Sequence, residues 1–465
     1  MAGLKVRDQR RRKKHAGVGE AASGSWSLHN DLLPRLQLAD RPLCELILPK
    51  RNVRKSEAGH VREVANAISA LGFTVPVIID QQGNVIDGAV RVEAAKLLGL
   101  PRVPCILAEH LTVVERRVLR LAANRLAEKG TWDLDELKLE LEELILEDAP
   151  IEITGFELSE IDVILADEDA EAVEEGPLAP EEDAQAVSRV GDVFRLGSHR
   201  VVCGDATQAD VLQALMAGDV ARMVFTDQPY NLAIVGHVTG GKHREFAMAS
   251  GEMSKDEFGA FNAAWIGAAL AHLMDGGLLA TFIDWRGVGS VSAAALAAGL
   301  EQLNLIVWAK TNAGMGSLYR SQHELLPLFK KGTDPHVNNV DLGRKGRWRS
   351  NLWTYAGASS MGSDARQGLQ HHPTVKPVAM LVDALQDVTH RGEIVLDPFL
   401  GSGSTLIAAE KSGRICRGIE LDPLYVDVIA HRYEEVTGRP ALLESTGEPF
   451  TALAKRRKRE TDPEA

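Results

Sequence analysis

The chain has 465 residues, 45% hydrophobic and 25% charged, which is the composition of a globular protein with more than one domain. No apolar run is long enough to cross a bilayer. No apolar stretch follows the basic residues near the N-terminus, so a secretory signal is not expected there. Four scattered cysteines argue against a disulfide scaffold or a zinc knuckle and indicate a cytoplasmic protein: Cys44, Cys105, Cys203 and Cys416.

The net charge of −13 comes from one segment. Residues 139–188 contain 18 of the 65 acidic residues and no Lys or Arg, so the rest of the chain has 52 basic residues against 47 acidic ones. The overall acidity is therefore no argument against a nucleic-acid partner.

The first part of the chain predicts a small α+β domain. Residues 1–40 lack periodicity and are expected to form a disordered basic tail. Residues 41–168 are expected to fold as the domain and its helical extension, and residues 169–188 as an acidic linker. Helices are predicted over 58–73, 89–100, 112–130 and 133–147, and strands over 75–80 and 102–107.

Residues 189–440 alternate strand-like apolar runs with helical ones, which is typical of a doubly wound α/β sheet. Strands are expected near 221–227, 276–284, 303–310, 392–399 and 414–421. The charged residues 441–465 are expected to form a solvated tail, which could also touch a DNA backbone.

The segment DPFLGSGST, residues 397–405, lies between a predicted strand and a predicted helix. Gly401 and Gly403 would let the backbone approach a ligand at the carboxyl end of the strand. Glu420, at the end of the next strand, is placed to accept hydrogen bonds from ribose hydroxyls. The absence of a third glycine argues against a dinucleotide site, and the absence of Gly-Lys-Ser/Thr argues against a P-loop. Taken alone, the motif has a structural strand-turn-helix as its alternative.

The segment DQPY, residues 227–230, directly follows an apolar strand. A flipped base could donate its N–H groups to the Asp227 carboxylate and the Gln228 carbonyl, which would free the lone pair of its amino nitrogen for attack. Tyr230 could stack on the base and offset the cost of extruding it. Taken alone, this tetrapeptide is more often an ordinary turn.

Together the two motifs resemble those of the amino-group DNA methyltransferases in which Asp-Pro-Pro-Tyr comes early and Asp-Pro-Phe-x-Gly-x-Gly-Ser-Thr late. The resemblance covers residues 189–440 and implies a Rossmann-like sheet, S-adenosylmethionine as methyl donor, and double-stranded DNA as substrate, as in restriction-modification systems. It implies catalytic roles for Asp227, Gln228, Pro229 and Tyr230. It implies cofactor contacts from Asp205, Thr374, Lys376, Asp397, Pro398, Phe399, Gly401, Gly403, Ser404, Thr405 and Glu420.

Gln228 stands where the family has its first proline. Its carbonyl can keep the family role, but the loop is expected to be less pre-organised because Gln does not fix φ. The leading Asp227 favours adenine N6 over cytosine N4. A non-catalytic DNA-binding protein with a degenerate methyltransferase domain is the competing class.

Residues 231–370 are expected to hold the DNA-reading surface. The candidates for phosphate and base contacts are Arg344, Lys345, Arg347, Trp348 and Arg349. A solvated basic loop over packed tryptophans is an equal alternative. The pair His371 and His372 has no third ligand at suitable spacing, so no metal site is expected.

Residues 43–110 resemble the ParB N-terminal-like fold of plasmid-partition proteins through the segment GNVIDGAVRVEAAKLLGLPRVPCIL. Gly88 and Arg91 match an Asp-Gly-x-x-Arg turn that this family places at a nucleotide or phosphate site. The resemblance implies contact with a nucleotide or with DNA, and a packing module is the alternative. A homodimer and a cytoplasmic location, on the nucleoid when bound to DNA, complete the expectations.

Overall fold

The computed structural model describes residues 34–49, 58–147, 149–166, 179–181, 184–231, 251–310, 318–355 and 376–461. The chain forms two compact units, one with residues up to Asp133 plus Ile153–Gly155, the other with Leu134–Glu152 and everything from Phe156 onward. Among the described residues, no helix is both long and apolar enough to cross a membrane.

The smaller unit has a four-stranded sheet in its described part, in the order β1-β4-β2-β3. Its strands and helices are β1 (Gln37–Pro42), α1 (Ala58–Leu71), β2 (Val77–Ile79), β3 (Val85–Asp87), α2 (Ala89–Leu97), β4 (Arg102–Leu107) and α3 (Val113–Ala127). Alternate residues of the central strands, such as Val77 and Cys105, pack against Val92 of α2. This is the α+β fold that the sequence predicts.

Strand β1 begins in the predicted tail of residues 1–40 and ends two residues beyond it. Residues Gln37–Pro42 pair antiparallel with the whole of β4. The backbone hydrogen bonds that β4 offers along its edge order this segment, although the segment has little apolar periodicity of its own.

The larger unit has an eleven-stranded sheet in its described part, in the order β11-β9-β10-β8-β7-β12-β13-β6-β5-β14-β15. The strands are β5 (Val193–Leu196), β6 (His199–Cys203), β7 (Ala221–Thr226), β8 (Leu273–Thr281), β9 (Glu301–Lys310), β10 (His323–Lys330), β11 (Leu352–Tyr355), β12 (Ile394–Asp397), β13 (Ile415–Glu420), β14 (Ala441–Leu443) and β15 (Glu448–Pro449). The helices are α4 (Leu134–Leu146), α5 (Leu158–Leu165), α6 (Ala209–Met216), α7 (Lys255–Leu270), α8 (Val288–Ala297), α9 (Val378–Val388), α10 (Ser404–Ser412), α11 (Pro423–Thr437) and α12 (Phe450–Thr461).

Helices cover both faces of this sheet. Successive residues of β7 belong to two separate hydrophobic cores. Phe225 belongs to the core that contains residues of α9, α10 and α11, whereas Val224 belongs to the core that contains residues of α6, α7 and α8. The sheet is therefore doubly wound and Rossmann-like, as the sequence predicts.

The strand directions define two edges of the sheet. Strands β8, β7, β12, β13 and β6 run parallel to one another, and β9 has the same direction because β10 is antiparallel to both β8 and β9. The carboxyl ends of these strands and the beginning of β10 thus share one edge, called here the carboxyl edge. The loop from β10 to β11 lies at the opposite edge.

Helices α4 and α5, which the sequence assigns to the smaller domain as its extension, lie in the larger unit. Asp162 of α5 receives two hydrogen bonds from the Arg414 guanidinium, at 3.0 and 2.7 Å, and both side chains are buried. Such a fork-to-carboxylate pair fixes α5 near the start of β13.

The C-terminal residues do not form the solvated tail that their charge predicts. Phe450 and Leu453 of α12 are fully buried, and the Phe450 ring packs at 5.9 Å from that of Phe194. Arg457 donates a 2.6 Å hydrogen bond to the Val187 carbonyl and pairs with Asp192. Two apolar anchors and a paired arginine outweigh the solvation of a lysine- and arginine-rich stretch.

Candidate active site

Four carboxylates from remote parts of the chain meet at the carboxyl edge. The strands β7, β12, β13 and β6 are consecutive neighbours in the sheet. Asp227 follows β7, Asp397 ends β12, Glu420 ends β13, and Asp205 lies two residues beyond β6. Parallel strands bring their carboxyl ends together, so the two predicted motifs lie side by side.

Asp397 braces the glycine-containing loop. Its Oδ1 accepts hydrogen bonds from the Thr226 hydroxyl at 2.5 Å and from the Phe399 N–H at 3.0 Å. Burial raises the pKa of Asp397 to about 6, against the hydrogen bonds from Thr226 and Thr405, which lower it. The carboxylate therefore holds the loop to the neighbouring strand β7.

The two glycines of the loop serve different purposes. Gly401 has φ +55°, and a Cβ there would meet open space, which leaves its backbone accessible to a ligand. Gly403, at φ +86°, caps α10, and a Cβ there would lie 3.2 Å from Ile429 of α11. Only Gly401 has the character of a contact position, whereas Gly403 allows α10 and α11 to pack closely.

Glu420 is tied to the same loop. Its two oxygens accept hydrogen bonds from the N–H groups of Gly401 and Asp422, both at 2.8 Å. Burial raises its pKa to about 7, although these two hydrogen bonds lower it. Each carboxylate oxygen keeps a second lone pair, so Glu420 can still accept hydroxyl hydrogen bonds.

Several predicted cofactor residues have internal partners. Phe399 packs its ring at 5.8 Å from Phe261 and 5.6 Å from Trp265 of α7. The Ser404 hydroxyl accepts a 3.0 Å hydrogen bond from Arg432. These side chains support the loop, and Pro398 is likewise buried.

Asp205 holds its own turn, since its Oδ1 accepts hydrogen bonds from the Thr207 N–H and hydroxyl, both at 2.8 Å. The adjacent Gly204 N–H donates to the Glu420 carbonyl at 2.9 Å. The turn is thereby fixed beside Glu420.

A compact ionic cluster surrounds Asp227. Lys376 donates to Asp227 Oδ2, and the Tyr230 hydroxyl donates to Asp227 Oδ1 at 3.0 Å. Glu324 of β10 lies within 3.3 Å of the Lys376 Nζ and receives a 2.5 Å hydrogen bond from Lys310 of β9. Two lysines thus balance two carboxylates.

Lys376 is placed differently from the expectation. The resemblance implies contact with the cofactor, but its side chain is 6% exposed and its ammonium binds the carboxylates of Asp227 and Glu324. Burial opposes its charge, yet the two carboxylates outweigh burial and raise its pKa. The sequence therefore identifies the residue, and the structure places it at the DQPY motif.

Glu324 and Lys310 are site residues that the two sequence motifs do not include. The segment that contains them, residues 307–324, resembles the Trp-x-Lys region of the amino-group methyltransferases, and this resemblance is the sequence feature that could have identified them. In the antiparallel pairing of β9 with β10, Glu324 lies opposite Trp308, and this register brings the Glu324 side chain to that of Lys310.

Gln228 is buried at 1% exposure. Neither its side-chain oxygen nor its nitrogen has a hydrogen-bond partner among the described residues. Leaving an amide buried without partners costs about 1–3 kcal/mol. Gln228, which stands where the family has its first proline, therefore lowers the stability of the folded protein at this motif.

The basic loop at residues 344–349 lies at the edge opposite the DQPY motif, because it connects β10 to β11. Arg347, 9% exposed, donates to Asp387 at 2.9 Å and to Asp383 at 2.9 Å. Arg349 donates to Asp387 at 3.0 Å. Both arginines thus pair with carboxylates of α9, of which Asp387 is buried and Asp383 is partly exposed, and DNA binding by these two arginines stays a prediction.

The other three predicted DNA contacts in this loop differ in exposure. Trp348 is 82% exposed, Arg344 is exposed, and Lys345 pairs with Glu157 at 3.3 Å. The alternative of a basic loop over a packed tryptophan holds in part, since Trp353 is buried beneath Arg349 at 5.1 Å.

Thr374 and the pair His371 and His372 lie outside the described residues. In the part of the chain that the structure describes, no group of three or more His, Cys, Asp or Glu could hold a metal ion. All four cysteines are free thiols.

The smaller unit contains a pocket of about 410 Å³. Gly88, at φ 95°, caps α2 at the pocket, and Arg91 pairs with Asp87 at 2.7 Å. Arg120 of α3 also lines the pocket, and it donates to the Val85 carbonyl at 2.9 Å. The Asp-Gly-x-x-Arg turn therefore borders a cavity with several basic groups.

Comparison with known families gives the decisive observation for the larger unit. Residues 221–431, which contain both motifs, match the DNA methylase family of N6 and N4 enzymes. This segment is an N6/N4 DNA methylase domain. A second match, over residues 135–190, is to the ParB-methyltransferase HTH domain. This HTH match covers α5 and all of α4 except its first residue, and it extends across the predicted linker of residues 169–188.

Relatives of the methylase domain cover about half of the chain. The Type II methyltransferase M2.DpnII of Streptococcus pneumoniae is 28% identical over 224 residues, 46% of this chain and 82% of the relative. The structure of an M1.HpyAVI–SAM complex is 19% identical, with 49% of this chain and 96% of that chain covered and a TM-score of 0.36. The structure of the cytosine-N4-specific PvuII DNA methyltransferase is 14% identical, with 59% of this chain and 95% of that chain covered and a TM-score of 0.40.

Proposed function

We propose that this DNA methyltransferase transfers a methyl group from S-adenosylmethionine to the exocyclic amino group of a flipped base, adenine N6 in preference to cytosine N4. The observation that carries the proposal is the adjacency of the DQPY motif after β7 and the glycine-containing loop after β12. A donor on one loop and an acceptor on the next would lie side by side at one edge of the sheet.

The residues at this edge fit the cofactor. The accessible backbone at Gly401 suits close approach of a ligand, and Glu420 and Asp205 offer carboxylate oxygens to its hydroxyl and amino groups. When bound, the cofactor supplies a methyl group already activated by its positively charged sulfur. The protein then has to bind, orient and exclude water.

The DQPY motif would act on the base. The Asp227 carboxylate and the Gln228 carbonyl would accept the amino N–H groups, which withdraws the nitrogen lone pair from the ring and directs it toward the methyl donor. Tyr230 would stack on the base. The leading Asp227 supports adenine as the target.

The direct test is methyl transfer from labelled S-adenosylmethionine to unmethylated genomic DNA, followed by nucleoside analysis. Label in N6-methyladenine supports the proposal, and label in N4-methylcytosine corrects the base alone. Asp227→Ala should abolish transfer and largely spare cofactor binding. Equal loss of transfer and cofactor binding would contradict the assigned roles.

A second proposal concerns the smaller unit: its pocket binds a nucleotide. The pocket at Gly88 and Arg91, with Arg120 beside it, supports this. Nucleoside triphosphates should bind the full chain, and Arg91→Ala should weaken this binding, whereas Arg117→Ala on the exposed face of α3 should not. If no nucleoside triphosphate binds, the unit serves in packing or in DNA contact.

A further inference from the structure

The carboxylate that should receive the target base is already engaged. The Tyr230 hydroxyl donates to Asp227 Oδ1 at 3.0 Å, and the Lys376 ammonium binds Oδ2. A neutral amino group competes poorly with an ammonium ion for a carboxylate, because the ammonium ion adds the attraction of opposite charges to its hydrogen bond. Each Asp227 oxygen keeps a second lone pair, but the base binds it more strongly when these donors have another acceptor.

Glu324 lies within reach of the same two donors. Its Oε2 is 2.9 Å from the Tyr230 hydroxyl and 3.3 Å from the Lys376 Nζ. A phenol has one proton, so Tyr230 can donate to only one of the two carboxylates at a time. Both donors can change partner by small side-chain rotations, since each already contacts both carboxylates.

Glu324 itself is firmly held. Lys310 donates to its Oε1 at 2.5 Å, and the Lys310 ammonium lies 4.8 Å from the centre of the Trp308 ring. The two lysines outweigh the effect of burial and lower the pKa of Glu324 to about 2. Glu324 is thus a fixed anion throughout the ordinary pH range.

We propose that Glu324 is a positioning residue for methyl transfer: it takes over the Lys376 ammonium and the Tyr230 hydroxyl when the target amino group binds Asp227. The inference rests on the proposed function, since it presupposes a base at Asp227. Glu324 does not touch the base. It acts by leaving the Asp227 oxygens available for the amino N–H groups.

The test compares Glu324→Gln with wild type in single-turnover methyl transfer to DNA at saturating cofactor. The variant should lower the rate by roughly 10- to 100-fold, the scale expected when a reacting group is displaced by about an ångström. Cofactor affinity should be unchanged. Glu301→Gln is the matched control, because Glu301 is exposed, pairs with Lys330 at 3.3 Å and lies at the other end of β9. Its rate should equal that of wild type.

The pH profile distinguishes positioning from simple support of the fold. The charged and titratable groups that face Asp227 are Lys376, Tyr230, Glu324 and Asp397. Burial raises the pKa of Asp227, the Lys376 ammonium lowers it, and the negative charge of Glu324 raises it. Removing that charge should move the acid limb of the rate profile to lower pH, because Asp227 must be ionised to accept the amine.

Glu324→Asp provides a second comparison if Glu324→Gln does not fold. It keeps the charge but shortens the reach, so the rate should fall while the acid limb stays in place. A wild-type rate in either variant, or a slower Glu324→Gln enzyme with an unmoved acid limb, overturns the inference and leaves the proposed function standing. A wild-type enzyme that methylates no DNA overturns both.

Discussion

Thr226 donates a 2.5 Å hydrogen bond to Asp397, and this joins the end of β7 to the end of β12. Thr226 immediately precedes the DQPY motif, and Asp397 begins the glycine-containing loop. The DQPY motif and the glycine-containing loop, which are proposed to bind the base and the cofactor, are thus joined where each of them begins. Such a bond between buried side chains holds two loops in one relative position, which an in-line transfer requires.

Cofactor affinity should depend on pH through Glu420. Its pKa is about 7 in the folded protein, against an ordinary 4.5, because burial favours the neutral form. Ribose hydroxyls donate to the anion, so binding should strengthen as pH rises toward 8 and weaken by up to about tenfold per pH unit below 7. Calorimetric titration with S-adenosylmethionine from pH 5.5 to 8.5 measures this.

The control for this prediction is Glu420→Gln, which cannot ionise and should bind more weakly with no such pH dependence. Wild-type affinity that stays constant over the whole range would show that Glu420 does not contact the cofactor as an anion.

Replacing Gln228 with Met should stabilise the protein. The Gln228 amide is buried without a hydrogen-bond partner among the described residues, and Met fills a similar volume without a polar group. The free energy of unfolding should rise by about 1–3 kcal/mol. Urea denaturation measures the change, and Gln213→Met on the exposed face of α6 should change it by less than about 0.5 kcal/mol. A loss of stability would mean that the amide has a partner in the folded protein.

Arg347→Met should destabilise the protein and leave the salt dependence of DNA binding unchanged. The substitution would leave buried Asp387 with one fewer positive partner, and breaking a buried ion pair costs about 3–5 kcal/mol. The exposed Arg344→Met should have little effect on stability. Denaturation, together with DNA affinity measured at several salt concentrations, separates the two roles. A stable Arg347 variant with a shallower dependence of DNA affinity on salt would support the predicted DNA contact.

Phe450→Ala should reduce stability by about 3–5 kcal/mol, because it empties a fully buried site beside Phe194. If residues 441–465 were a solvated tail, this change would have no effect. Arg459→Ala, at an exposed position of α12, is the comparison and should be neutral. Thermal unfolding of both variants in parallel provides the measurement.

Local sequence patterns were sufficient to predict the fold class of both units and the two motifs of the site. Asp227 and Gly401 lie in short, locally recognisable segments, each following an apolar strand, and the carboxyl ends of parallel strands must share an edge. Apolar periodicity and glycine at a turn are local signals, so they can be read without knowledge of the rest of the chain.

The partners of the charged side chains could not be predicted from the sequence and became known from the fold. Lys376 and Glu324 are 52 residues apart and meet because β10, two strands from β7, begins at the carboxyl edge of the sheet. The sequence predicts DNA contact for both Arg347 and Trp348, yet Arg347 is buried against α9 and Trp348 is exposed. Whether an arginine or a lysine is paired depends on which carboxylates the fold brings within about 4 Å of it. These carboxylates are remote in sequence, so a local pattern does not predict the pairing.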